Sequence, residues 1–81
     1  MKVVLRHVSG TAEANLGRAR EEMTRVLAFR GDVVSAMPNG QRITLKIAIN
    51  PKWENDDEVG YLKEWIPAKV KSVFEVISVS G

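Results

Sequence analysis

The sequence predicts an α+β domain of ferredoxin-like βαββαβ arrangement, a four-stranded antiparallel sheet with two helices on one face. Three observations lead there. Four short runs rich in β-branched residues read as strands, and two longer stretches carry apolar residues at helical spacing. Their order is strand, helix, strand, strand, helix, strand, all within 81 residues. That length holds one domain, residues 1–81, with about 4,900 Å² of folded surface by the scaling law for chains of this size. Such a domain has one thin core, so a sheet covered by helices on one side keeps its other side open.

Lys2–Val8 is the first strand, stopped by Ser9–Gly10. Val3, Leu5 and His7 share one side and Val4, Arg6 and Val8 the other. Burying Arg6 in a core is costly, so the first set points inward. Thr11 is a candidate N-cap for a helix to about Ala28, whose stripe is Ala12, Leu16, Ala19, Met23, Val26 and Leu27. Gly31 supplies its stop.

Asp32–Met37 and Gln41–Asn50 flank the turn signal Pro38–Asn39–Gly40. The second run alternates cleanly, with Ile43, Leu45, Ile47 and Ile49 inward and Arg42, Thr44, Lys46 and Ala48 outward. The first run is less decisive about its faces. Asn55 and Glu58 fit a capping box for a second helix lined by Val59, Leu62, Ile66 and Val70, which Pro67 should end or kink near Ile66. Val73–Ser80 is the last strand, with Phe74 and Val76 inward and Glu75, Ile77 and Val79 outward.

In this arrangement the first strand is central, between the third and fourth. Val4, Val8, Ile77 and Val79 then adjoin on the helix-free face, exposing on the order of 300–400 Å², enough to mark a contact site. Arg6 and Lys46 lie among them and would orient a partner. The competing explanation is strand propensity alone, which also places β-branched residues on solvent faces. Trp53, in a polar loop beside Pro51 and Lys52, is a further candidate contact residue.

The chemistry the chain can perform is narrow. It has no cysteine, which excludes disulfides, thiolate metal sites and thiol catalysis. His7 is the single histidine, and no acid, base and nucleophile set is visible beside it. The carboxylates of Glu54, Asp56, Asp57 and Glu58 suit a helix start and lack calcium-loop spacing. We therefore expect no enzyme, no cofactor and no metal. Ser9, Gly10 and Thr11 precede a helix and form a candidate anion site, although the Walker lysine and the dinucleotide glycines are missing.

Twelve Lys and Arg against ten Asp and Glu leave a net charge of +2 without a block of five like charges, so no polybasic anchor or nucleic-acid tail is expected. No apolar run approaches the ~20 residues of a membrane helix. Arg6 and His7 come too early for a signal-peptide core. A cytoplasmic location without membrane contact is the expectation. Arg18, Arg25 and Arg30 could bind phosphate, but the outer strand positions hold no aromatic platform for bases.

The stretch Thr24–Arg25–Val26–Leu27–Ala28–Phe29–Arg30–Gly31–Asp32–Val33–Val34 resembles the helix-to-second-strand junction of ACT regulatory domains. Val70–Lys71–Ser72–Val73–Phe74–Glu75–Val76–Ile77 is similar to their closing strand. Val8–Ser9–Gly10–Thr11 stands where that family carries an acidic-x-Pro-Gly turn, so the resemblance implies side-by-side pairing of domains rather than a conserved effector site. The expected function is a non-enzymatic interaction or assembly module. It would bind another copy as a homodimer, or a target protein as an accessory inhibitor or adaptor. A small-ligand regulatory domain and an electrostatic nucleic-acid binder are the alternatives.

Overall fold

Alternation in one strand organises the sheet. In the computed structural model, β1 (Lys2–His7) lies between β3 (Arg42–Ile49) and β4 (Phe74–Ser80), and β2 (Gly31–Asn39) borders β3. The order is β2-β3-β1-β4 and every neighbouring pair is antiparallel. Helices α1 (Leu16–Leu27) and α2 (Asp56–Lys69) follow β1 and β3, each preceded by a 3₁₀ turn, Glu13–Asn15 and Pro51–Trp53. The fold is α+β, one antiparallel sheet with two helices. The structure describes residues 1–8, 10–53, 56–70 and 74–80, and for residues 53 and 56–59 the backbone alone.

Val3 and Leu5 of β1, Ile43, Leu45 and Ile47 of β3, and Phe74 of β4 form one core with Ala19, Met23, Val26 and Leu27 of α1 and Leu62 and Ile66 of α2. His7 completes the inward side of β1, its ring edge-on to Phe74 with centroids 5.0 Å apart. The strand faces read from β1 and β3 are those observed. The accessible surface is 4938 Å², as the scaling law gives for a compact chain of this mass.

The two helices are tied at their C-terminal ends, where free carbonyls need donors. The Trp65 indole N–H of α2 donates to the Val26 carbonyl of α1 at 3.1 Å. In return the Arg25 guanidinium of α1 donates to the Lys69 carbonyl of α2 at 3.1 Å. Trp65, at the edge of its helical stripe, thus packs at the rim, stacked on Tyr61 at 5.6 Å and flanked by the Arg30 and Lys69 cations at 5.1 and 4.7 Å.

Several boundaries differ from the sequence expectation. Thr11 caps as expected, its hydroxyl accepting from the Ala14 N–H at 3.2 Å, but the first turn is 3₁₀ and α1 proper begins at Leu16. The helix does not end at Gly31. The Arg30 N–H donates to the Leu27 carbonyl at 3.0 Å, and Ala28 takes φ 54°, ψ −122°, the first central position of a type II′ turn. Gly31 instead opens β2, where a Cβ would lie 2.8 Å from the Ala48 carbonyl oxygen.

Pro38 and Asn39 belong to β2, opposite Ile43 and Arg42, and the loop is reduced to Gly40–Gln41 with Gly40 at φ 65°. Proline is tolerated there because β2 is an edge strand. Pro67 neither ends nor breaks α2, which runs on to Lys69. The proline lies in the last turn, Lys63 is exposed so that water can satisfy its carbonyl, and past the end of α2 the Val70 N–H still donates to the Ile66 carbonyl at 2.9 Å. The proposed Asn55–Glu58 capping box lies outside the described residues.

Ala28→Gly is expected to stabilise the domain by about 1 kcal/mol, because glycine removes the positive-φ penalty. In a chain of this size that raises Tm by roughly 4–8 °C. Gly31→Ala should cost about 1–3 kcal/mol by forcing β2 off Ala48. Urea denaturation of both variants checks the pair, and a destabilised Ala28→Gly would contradict the turn assignment.

Candidate interaction surface

With the helices gathered on the side of Val3 and Leu5, the opposite side of the sheet is open to solvent. The strand registers align its residues in rows across the sheet. Ser80, Lys2, Lys46 and Ser35 form one row, Ser78, Val4, Thr44 and Met37 the next, and Glu75, Arg6, Arg42 and Asn39 a third.

Two irregularities decide which apolar side chains reach this face. In β4, Val4 opposes Ser78 but Leu5 opposes Val76, so Ile77 is an extra residue in a bulge. An inserted residue reverses the face of everything beyond it. Val79 is therefore not on the open face as expected: it opposes Val3 and packs against the core. Ile77 stays half-buried between the inward Val76 and the outward Ser78. In β2 the same device leaves Val34 as the extra residue between Val33, opposite Ile47, and Ser35, opposite Lys46.

Val34 and Met37 thereby join the open face, each 62% exposed, and sequence reasoning missed both. The adjacent valines Val33 and Val34 were the available signal, since two like residues in succession cannot both follow strict alternation. Val8, also 62% exposed, lies just past the end of β1, and Val4 is half-buried in the middle row. The outer face thus brings together Val4, Arg6, Lys46 and Ile77 of the expected set and adds Val34 and Met37.

The charges are arranged by the same registers. Arg6 is bound by its neighbour Glu75, Nε to Oε2 at 2.9 Å, with both side chains about half exposed. Lys2 and Lys46 face each other directly, as do Arg6 and Arg42. At the Lys2 end, Lys2, Val34, Lys46, Ala48 and Ser80 border a shallow depression of about 400 Å³.

The other expected sites fare differently. Ser9 and the Trp53 side chain lie outside the described residues. Gly10 takes φ 80°, and Thr11 is engaged locally, its hydroxyl by the Ala14 N–H and its carbonyl by Asn15 Nδ2 at 2.6 Å. Glu13 lines the adjoining crevice and opposes an anion there. Arg18 is exposed, whereas Arg25 and Arg30 serve the fold. Arg25 is hydrogen-bonded to Glu22, which raises its pKa above the usual value, and Arg30 lies over the Phe29 and Trp65 rings. Among the described residues no three His, Asp or Glu side chains converge as metal ligands, and no helix is long and apolar enough to cross a membrane. No protein family, curated protein or solved structure matches the chain.

An exposed pair such as Arg6 and Glu75 contributes less than about 1 kcal/mol. Glu75→Gln is accordingly expected to shift the urea midpoint only slightly. A loss above about 2 kcal/mol would mean that the ion pair holds β4 to β1 rather than merely decorating the face.

Proposed function

We propose that the protein is a non-enzymatic interaction module that binds another copy or a target protein through the helix-free face of its sheet. One observation carries this reading: Val4, Ile77, Val34 and Met37 gather on a face that the helices leave uncovered, Met37 because the β2 bulge turns it outward. Simple strand propensity accounts for Val4. It does not account for an exposed methionine, which has no branched Cβ and belongs at adaptable contact surfaces.

The same reading takes the sheet order and the two helices as a ferredoxin-like arrangement, and the chain as a cytoplasmic accessory protein acting as an adaptor or inhibitor. The small-ligand and nucleic-acid alternatives lose ground. Thr11 is consumed by local capping, and two of the three candidate arginines serve the fold.

The test is a double substitution, Val34→Lys with Met37→Lys. Both side chains are exposed, so Tm should change little, within about 0.5 kcal/mol of stability. Sedimentation velocity at ~100 μM, above typical weak-dimer affinities, reads self-association. Capture from lysate with mass spectrometry reads target binding. Loss of either association in the double variant supports the proposal. A monomeric wild type whose captured proteins are unchanged by the substitutions overturns it.

A further inference from the structure

The charge on the open face says what kind of partner fits it. Its outward positions hold four cations, Lys2, Arg6, Arg42 and Lys46, against two carboxylates, Glu75 and Asp32. The face therefore carries +2, the same as the whole chain, and the remainder of the molecule is neutral in sum. The cations are not dispersed. Lys2 directly opposes Lys46 and Arg6 directly opposes Arg42, an arrangement of like charges that destabilises a sheet unless something screens it.

Glu75 answers Arg6 alone. Among the described residues no carboxylate reaches ion-pair distance of Lys2, Lys46 or Arg42. At the Lys2 end the two ammonium groups are flanked by hydroxyls, giving a row Ser80, Lys2, Lys46, Ser35 in which every side chain can donate a hydrogen bond and none is anionic; Ser80, Lys2 and Lys46 border the depression. Between the two cationic pairs lie Val4, Thr44 and Met37.

We infer that the partner of this face is an acidic protein segment, with carboxylates on the two cationic rows and an aliphatic side chain over Val4 and Met37 between them. This rests on the reading of the open face as a protein contact and narrows it. Lys2 and Arg6 are four residues apart on β1, so the two carboxylates are about 13 Å apart, the reach of four residues of extended chain. A second copy fits poorly, because either two-fold orientation sets a cationic row on a cationic row. Nucleic acid meets Val4, Thr44 and Met37 where stacked bases would need aromatic rings.

The test is an amide-shift titration of the full ¹⁵N-labelled chain with three probes. The first is a blocked five-residue peptide with Glu at both ends, Leu at its centre and Ser between. The second replaces both Glu by Gln, and the third is single-stranded oligothymidylate. The acidic peptide is expected to shift residues 2–6 and 42–46, bind about tenfold more tightly than its Gln counterpart, and weaken as salt rises. Lys46→Glu converts a repulsive cross-strand pair into an attractive one, so it should keep or raise Tm while cutting acidic-peptide affinity about tenfold.

Equal binding of both peptides at these residues overturns the acidic partner and leaves the contact face standing. Tighter binding of the oligonucleotide there overturns it in favour of nucleic acid. Shifts confined to other surfaces, or none up to about 5 mM, past the range of weak peptide affinities, overturn the contact face itself.

Discussion

The constraint on which the structure depends is the double pairing of β1. Hydrogen-bonded to β3 on one side and β4 on the other, it has no free edge, and its alternation decides the faces of its neighbours. A six-residue strand with the charged Arg6 next to its last position has one economical solution. Val3, Leu5 and His7 go under the helices, and Lys2, Val4 and Arg6 go to the open side. Ile43, Leu45 and Ile47 follow on β3, and the single core under α1 and α2 is the outcome.

Covering that core takes two helices held at a common end. The exchange of donors between Trp65 and the Val26 carbonyl, and between Arg25 and the Lys69 carbonyl, satisfies two groups that helix ends leave open and joins α1 to α2 in the same act. The turn at Ala28 then sends the chain into β2 at the place where Gly31 meets Ala48. Arg25 and Arg30, which look like free cations in the sequence, are used in building this corner.

The open face is shaped by its irregularities. Without the bulge at Ile77, Val79 would be outward. Without the one at Val34, the faces of β2 could not change over between Val33 and Met37. Bulges thus exchange apolar side chains between core and surface at the cost of one unpaired residue each. The result is a middle band of Val4, Thr44 and Met37 between two cationic rows, a combination of apolar area and unanswered charge suited to recognising a partner of opposite sign.

The sequence by itself determined the order of elements, the α1 stripe, and the faces of β1 and β3, because those segments repeat cleanly at 3.6 or 2 residues. From these it also located the helix-free face and placed Val4, Arg6 and Lys46 on it. The exact membership of that face was decided only by the tertiary structure. A bulge is a mismatch between two strands, so Val79 could not be assigned from its own segment, and in β2 the paired valines Val33 and Val34 mark a break in alternation without fixing which face Met37 takes. The same holds for Pro67 and Ala28. Local propensity argues against a helix through one and a positive φ at the other, and packing of Trp65 and Ile66 on one side and pairing of Gly31 on the other override both. Charge followed the same rule: a net of +2 says little in a composition, and acquired meaning once pairing set Lys2 against Lys46 and Arg6 against Arg42.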